Sequence, residues 1–183
     1  MNNDKWLKYL EYCTSDIHNS HTTGIGSENH LGLTFDFFQR HISDSPEQTF
    51  LDIGCGNAVK AKTTNRIKAK WTGFDLNKCE GVIQGDMHEL PFNDESFDTV
   101  FSSHALEHTV SPLICLTEMF RVLKQTGNLI LGVPIAPGFM ATAHNYVLTK
   151  KGWALLLERS GFILKIYEEK HNCGMFHCVK RRR

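Results

Sequence analysis

The sequence predicts an α/β fold: a mostly parallel sheet flanked by helices and ending in an antiparallel hairpin. Three observations carry that reading. From Thr49 onward, short apolar runs alternate with helical patterns. The first run, FLDIG (Phe50 to Gly54), lacks the polar alternation of a half-exposed strand and reads as buried on both faces. Near the end, FILKIYEE and MFHCVKR stand on either side of His171 to Gly174, close enough to pair as a hairpin.

Residues 1–45 read as an N-terminal cap of helices and loop, with a short helix over Trp6 to Tyr12 and a stronger one over Gly32 to Ile42. Residues 46–183 form the main domain. After FLDIG, a helix is expected over Asn57 to Lys68, with Asn57 at its cap. KWTGFDL is the second strand, ending near Asp75, and FDTVFSSH is another buried strand. Ser111-Pro112 opens a helix through Lys124, with Leu113, Leu116, Met119, Phe120 and Leu123 on its inner face. Gly127 ends it, NLILGVP is the next strand, and Thr149 to Ser160 is an amphipathic helix stopped by Gly161.

The 183 residues, 41% hydrophobic and 22% charged, suit one globular core. The formal net charge is zero, so no overall field draws the chain to nucleic acid or acidic membrane. No apolar stretch approaches the roughly 18 residues of a membrane span, and the polar start lacks a signal core. A cytoplasmic location is the expectation, with the six cysteines as thiols.

LDIGCGNAVKA (Leu51 to Ala61) runs from strand through a glycine loop into a helix, the form of a nucleotide-binding turn. It lacks the lysine and hydroxyl of a triphosphate loop, and Val59 stands where a dinucleotide loop has its third glycine. Asp52, at the mouth, would repel a pyrophosphate and favour a cation. S-adenosylmethionine, a sulfonium nucleoside without phosphate, fits that demand. Asp75 is the acid about 20 residues on, placed to accept hydrogen bonds from ribose hydroxyls.

With LDIGCG, Asp75 in GFDLN, GDMHELPFNDESFDTVFSSHALEH and EMFRVLKQTGNLILGVP, the chain resembles a class I S-adenosylmethionine-dependent methyltransferase of the type 11-like, small-molecule kind. The resemblance covers about residues 49 to 165 and implies a Rossmann-like three-layer sandwich with S-adenosylmethionine as cofactor. It further implies that Asp52, Gly54, Cys55 and Gly56 wrap the methionine part, and that Asp75 and Leu76 meet the ribose side. Asp86 would face the adenine amino group, with Met87 beside the ring. Ser102, Ser103 and His104 would close the pocket floor, and Glu107-His108 would anchor the loop beyond.

Between Asp75 and Gly81 only LNKCE intervenes, where the family inserts a helix. A parallel crossover ordinarily needs a dozen residues, so the usual third strand is not expected beside the second in the normal way. The sheet edge there is expected to be trimmed, with GVIQGD short or irregular. His144 and His104 are the candidates for catalysis: His144 lies on a loop facing the substrate side, and a near-neutral pKa suits proton removal. No metal ligands are assigned. His18, His21 and His30 lack zinc-site spacing, and the adjacent His177 and Cys178 of a strand face opposite ways. A small-molecule substrate is expected, with no nucleic acid or membrane partner, for a monomer or homodimer. The alternative is a non-catalytic module of the same fold serving a partner protein.

Overall fold

The computed structural model describes residues 27–56, 67–135 and 144–181. Helix α1 (Ser27–His41) precedes strands β1 (Thr49–Ile53), β2 (Lys70–Asp75), β3 (Val82–Gln84) and β4 (Phe97–Ser103). A 3-10 turn (Leu106–His108) leads to helix α2 (Pro112–Val122), strand β5 (Leu123–Pro134), helix α3 (Lys150–Arg159) and strands β6 (Phe162–Lys170) and β7 (Cys173–Lys180). One seven-stranded sheet has the order β3-β2-β1-β4-β5-β7-β6, parallel except for β7, which runs antiparallel to β5 and β6. The expected α/β architecture with its terminal hairpin is therefore present. The helices expected over Trp6 to Tyr12 and most of Asn57 to Lys68 lie outside the described residues.

The two faces of the sheet bury alternate residues, as the two-residue period of a strand requires. Leu51, Ile53, Val100, Leu129, Leu131, Phe176 and Cys178 face the layer of α2 and α3. Phe50, Phe101, Ile130 and Met175 face α1, whose Phe35 and Phe38 pack on them. Phe38 meets Phe50 edge-on with ring centroids 5.2 Å apart. Gly132 permits the close approach of α1 to β5, because a Cβ there would stand 2.1 Å from Thr34 Oγ1. The hairpin turn His171-Asn172 takes positive φ at both residues, 49° and 60°. That geometry suits the twist of a two-residue hairpin.

Three local expectations change. The edge is short, as expected, with β3 only three residues long, but β3 does sit parallel beside β2, with Gly73 opposite Val82 and Asp75 opposite Gln84. The six-residue link suffices because β3 has only three residues, so the chain returns just two positions, about 7 Å, before pairing. Helix α2 stops at Val122 and β5 begins at once with Leu123, so Gly127 lies inside the strand. The buried stripe of α2 is Pro112, Cys115, Leu116, Met119 and Val122, whereas Leu113 is exposed. Cys115 there acts as a small apolar residue.

Two of the quoted motifs meet in space. Arg121 of α2 pairs with Glu118 through Nε–Oε1 (2.8 Å) and Nη2–Oε2 (2.7 Å), and donates to the carbonyls of Phe92 (2.7 Å) and Leu90 (2.9 Å). Glu118 Oε2 in turn accepts from the Leu90 amide at 2.9 Å. This clamp fixes the ELPF loop against the helix. Arg121→Ala leaves those carbonyls and Glu118 without their shared donor. It should cost about 2–3 kcal/mol of stability in urea unfolding, from charge-assisted hydrogen bonds of about 1.5–3 kcal/mol each that do not sum fully.

Candidate functional site

The carboxyl ends of β1, β2, β3 and β4 come together, the crevice where open α/β sheets bind ligands. Gly54 leaves β1 with φ +71°, and its amide donates to Phe74 O at 2.8 Å. Gly56, at φ +61°, donates its amide to Asp75 Oδ2 at 2.7 Å, while Asn77 N–H donates to Asp75 Oδ1 at 2.8 Å. One carboxylate thus ties the glycine loop to the end of β2. Each of its oxygens keeps a further lone pair for an outside donor. A Cβ on Gly56 would meet nothing within 4 Å among the described residues. Ala58 and Val59 lie outside the described residues.

Asp52 is 8% exposed, and Trp71 Nε1 donates to its Oδ2 at 3.3 Å. Burial pushes its carboxyl up to about 7; the Trp71 hydrogen bond opposes this and the nearby Asp75 adds to it. Two carboxylates so placed make the loop mouth attractive to a cation. Cys55 is held as a thiol, mainly by burial and then by the same two carboxylates. Leu76 is 37% exposed at the end of β2, an apolar surface beside the crevice.

At the end of β3, Asp86 Oδ1 accepts the His88 amide (2.9 Å) and the His88 ring Nδ1. The Ser111 amide donates to His88 Nε2 at 3.1 Å, which requires the ring proton to sit on Nδ1. The His88 hydrogen bond holds the Asp86 carboxyl below its ordinary range, against burial. His88 therefore links the Asp86 turn to the start of α2. Met87 packs against the main core.

Ser102 is wholly buried, and its Oγ has no hydrogen-bond partner among the described residues. Ser103 Oγ donates to Thr34 Oγ1 of α1 at 3.0 Å. His104 turns the chain out of β4 with φ +52°, a strained value for a residue with a side chain. Its Nε2 lies 3.3 Å from Cys173 Sγ and its Nδ1 3.0 Å from Glu107 Oε1. Burial alone would lower the His104 pKa; the Cys173 and Glu107 contacts outweigh it and raise it to about 10. Held protonated between two partners, His104 is poorly placed to take a proton from an acceptor.

His144 approaches from the segment after β5, with its ring centroid 4.9 Å from that of His108. The backbone amides of Asn145 and Tyr146 donate to Glu107 O (2.8 and 3.0 Å), and Asn145 Nδ2 donates to His108 O at 2.9 Å. Tyr146 Oη donates to Val110 O at 2.9 Å. His144 is thus brought to the β4 end, while the Tyr146 hydroxyl is occupied in holding it there. Trp71, His88 and Asn145 were missed by sequence reasoning. Only an indole N–H two residues into β2, which alternation keeps on one face, offered a signal for Trp71.

Residues 51–131 match the family model described as a methyltransferase domain. An uncharacterised protein of Methanocaldococcus jannaschii is 30% identical over 148 residues, covering 76% of this chain and 58% of that one. A sterol 24-C-methyltransferase of Gibberella zeae is 28% identical over 146 residues, 70% of this chain and 36% of that enzyme. The chain therefore spans less than two thirds of the length of these curated relatives. The solved structure of a Burkholderia thailandensis 1,6-didemethyltoxoflavin-N1-methyltransferase, with 1,6-didemethyltoxoflavin and S-adenosylhomocysteine bound, shares the fold. Its TM-score is 0.78 at 14% identity, covering 100% of this chain and 92% of that one. In the matched methyltransferase domain and in its fold, the chain is thus similar to S-adenosylmethionine-dependent methyltransferases.

Proposed function

We propose that the protein transfers the methyl group of S-adenosylmethionine to a small molecule, or to an end group of a larger one, in the cytoplasm. The observation that carries this reading is the Asp75 clasp on Gly56 beside the buried Asp52. Asp75 receives the ribose hydroxyls on its remaining lone pairs, and Asp52 with Gly54, Cys55 and Gly56 receives the cationic methionine end. Leu76 borders the ribose, Met87 the adenine, and Asp86 accepts from the adenine amino group. Ser102 and Ser103 support the floor from beneath. No helix of the described residues is long and apolar enough to cross a membrane.

In the reaction, a lone pair of the acceptor attacks the methyl carbon as the carbon–sulfur bond breaks. The electron pair passes to sulfur and leaves S-adenosylhomocysteine. In-line positioning supplies much of the rate. His144, on the acceptor side, orients the acceptor or receives its proton; His104 positions Glu107.

The reading is tested by calorimetric titration with S-adenosylmethionine, S-adenosylhomocysteine and NAD. Both sulfur ligands should bind and NAD should not; binding of neither sulfur ligand contradicts the proposal. The pH dependence is specific. A cofactor ammonium favours ionised Asp52, so below pH about 7 binding must first expel its proton. Affinity for S-adenosylhomocysteine should rise with pH and level off above about 7, with roughly tenfold weakening per unit below it. Conversely, a raised acid pKa makes the unliganded fold lose stability as pH rises from about 4 to about 7. Asp52→Asn should flatten both slopes.

A further inference from the structure

Glu107, His108 and His144 each offer one ligand atom, and the three atoms lie within 4.8 Å of one another. We propose that this cluster is a divalent transition-metal site, of the zinc or ferrous-iron class, at the acceptor end of the crevice. Two imidazoles and a carboxylate are a donor set suited to such ions, leaving coordination positions open to water or substrate oxygen. With bonds of about 2.0–2.2 Å, tetrahedral donors stand ~3.4 Å apart, so the cluster closes by ~1 Å through turns of half-buried imidazoles.

The independent sign is Glu107. Its side chain is completely buried, and the His104 ring reaches it with Nδ1 3.0 Å from Oε1. Oε2, the second oxygen, has no hydrogen-bond partner among the described residues. One imidazole satisfies one oxygen of this buried carboxylate, and a cation on the side of His108 and His144 would satisfy the other. His104, which keeps Glu107 ionised and oriented, then stands as the second partner of a metal-bound carboxylate. The two ligand segments are also fixed relative to each other by the hydrogen bonds of Asn145 and Tyr146 to residues 107 and 108. The donors are therefore assembled before any ion arrives.

Resting on the methyl-transfer reading, the ion would bind an acceptor that carries a hydroxyl. Its charge acidifies that hydroxyl, the proton leaves to solvent, and the oxygen attacks the methyl carbon as the bond to sulfur breaks. The acceptor class is thus an oxygen nucleophile able to chelate.

Titration of the full chain, stripped with chelator, with Co2+ alone tests the site by its visible absorption bands. One equivalent should bind with bands of a low-coordinate nitrogen and oxygen site. His108→Ala and His144→Ala should each weaken that binding about 100-fold while still binding S-adenosylhomocysteine, which reports an intact fold. Asp75→Asn should do the opposite, keeping Co2+ and weakening the nucleoside. Unchanged Co2+ affinity in both histidine variants places the ion elsewhere among the ten histidines and overturns the site. So does absence of Co2+ binding in a wild-type sample that binds S-adenosylhomocysteine. Loss of nucleoside binding alone, with the Co2+ result as expected, would refute the methyltransferase reading and leave the metal site standing.

Discussion

Asp75→Ala should weaken S-adenosylhomocysteine binding by at least about 100-fold. Its carboxylate is 7% exposed and already holds the amides of Gly56 and Asn77. Two ribose hydroxyls added to the same oxygens would each donate a charge-assisted hydrogen bond worth about 1.5–3 kcal/mol. Losing both accounts for the factor, since about 1.4 kcal/mol is tenfold. The same substitution strands two backbone amides and should lower stability by about 2–4 kcal/mol. Asp75→Asn separates the two effects, because its remaining carbonyl oxygen can still brace one loop. It should recover part of the stability and less of the affinity. Affinity within about threefold of wild type in both variants would mean that the ribose lies elsewhere.

Gly54→Ala should be the most destabilising single-methyl change in the crevice. A Cβ at Gly54 would stand 2.3 Å from Ala105 Cβ, and the residue sits at φ +71°. The left-handed backbone costs about 1–2 kcal/mol with a side chain, and overpacking adds about 1–3 kcal/mol. A total of about 2–5 kcal/mol should lower the melting temperature by roughly 10 °C in a chain of this size. Gly56→Ala has a similar φ but no clash with any described residue, so it should lose mainly the backbone part. Adding Ala105→Gly to Gly54→Ala should restore the steric part. Equal melting shifts for the Gly54 and Gly56 variants would show that the β1 and β4 loops are not in contact as described.

Much of the architecture was legible because strands β1, β2, β4 and β7 are set by apolar runs with strong punctuation. Asp75 could be read at the end of β2, and the glycine loop before it, from spacing alone. Other features depend on contacts that no local pattern encodes. The short link into β3 works only because three residues pair, which length rules for crossovers do not anticipate. Leu113 is exposed and Cys115 buried because the face of α2 that packs inward runs through Pro112, Cys115, Leu116, Met119 and Val122. The burial of Glu107 is the clearest case. In sequence it is a charged residue in a short turn, and its burial beside His104, with residues 145 and 146 bonded to its carbonyl, appears only in the fold.

The central claim is methyl transfer, and it is tested most directly by incubating the purified protein with methyl-labelled S-adenosylmethionine and a cell extract. Label should pass to a small-molecule or end-group acceptor, and Asp75→Ala should abolish the transfer. Cofactor binding with no label transferred to any fraction, in the presence of added divalent metal, would contradict the claim and leave a binding module in its place.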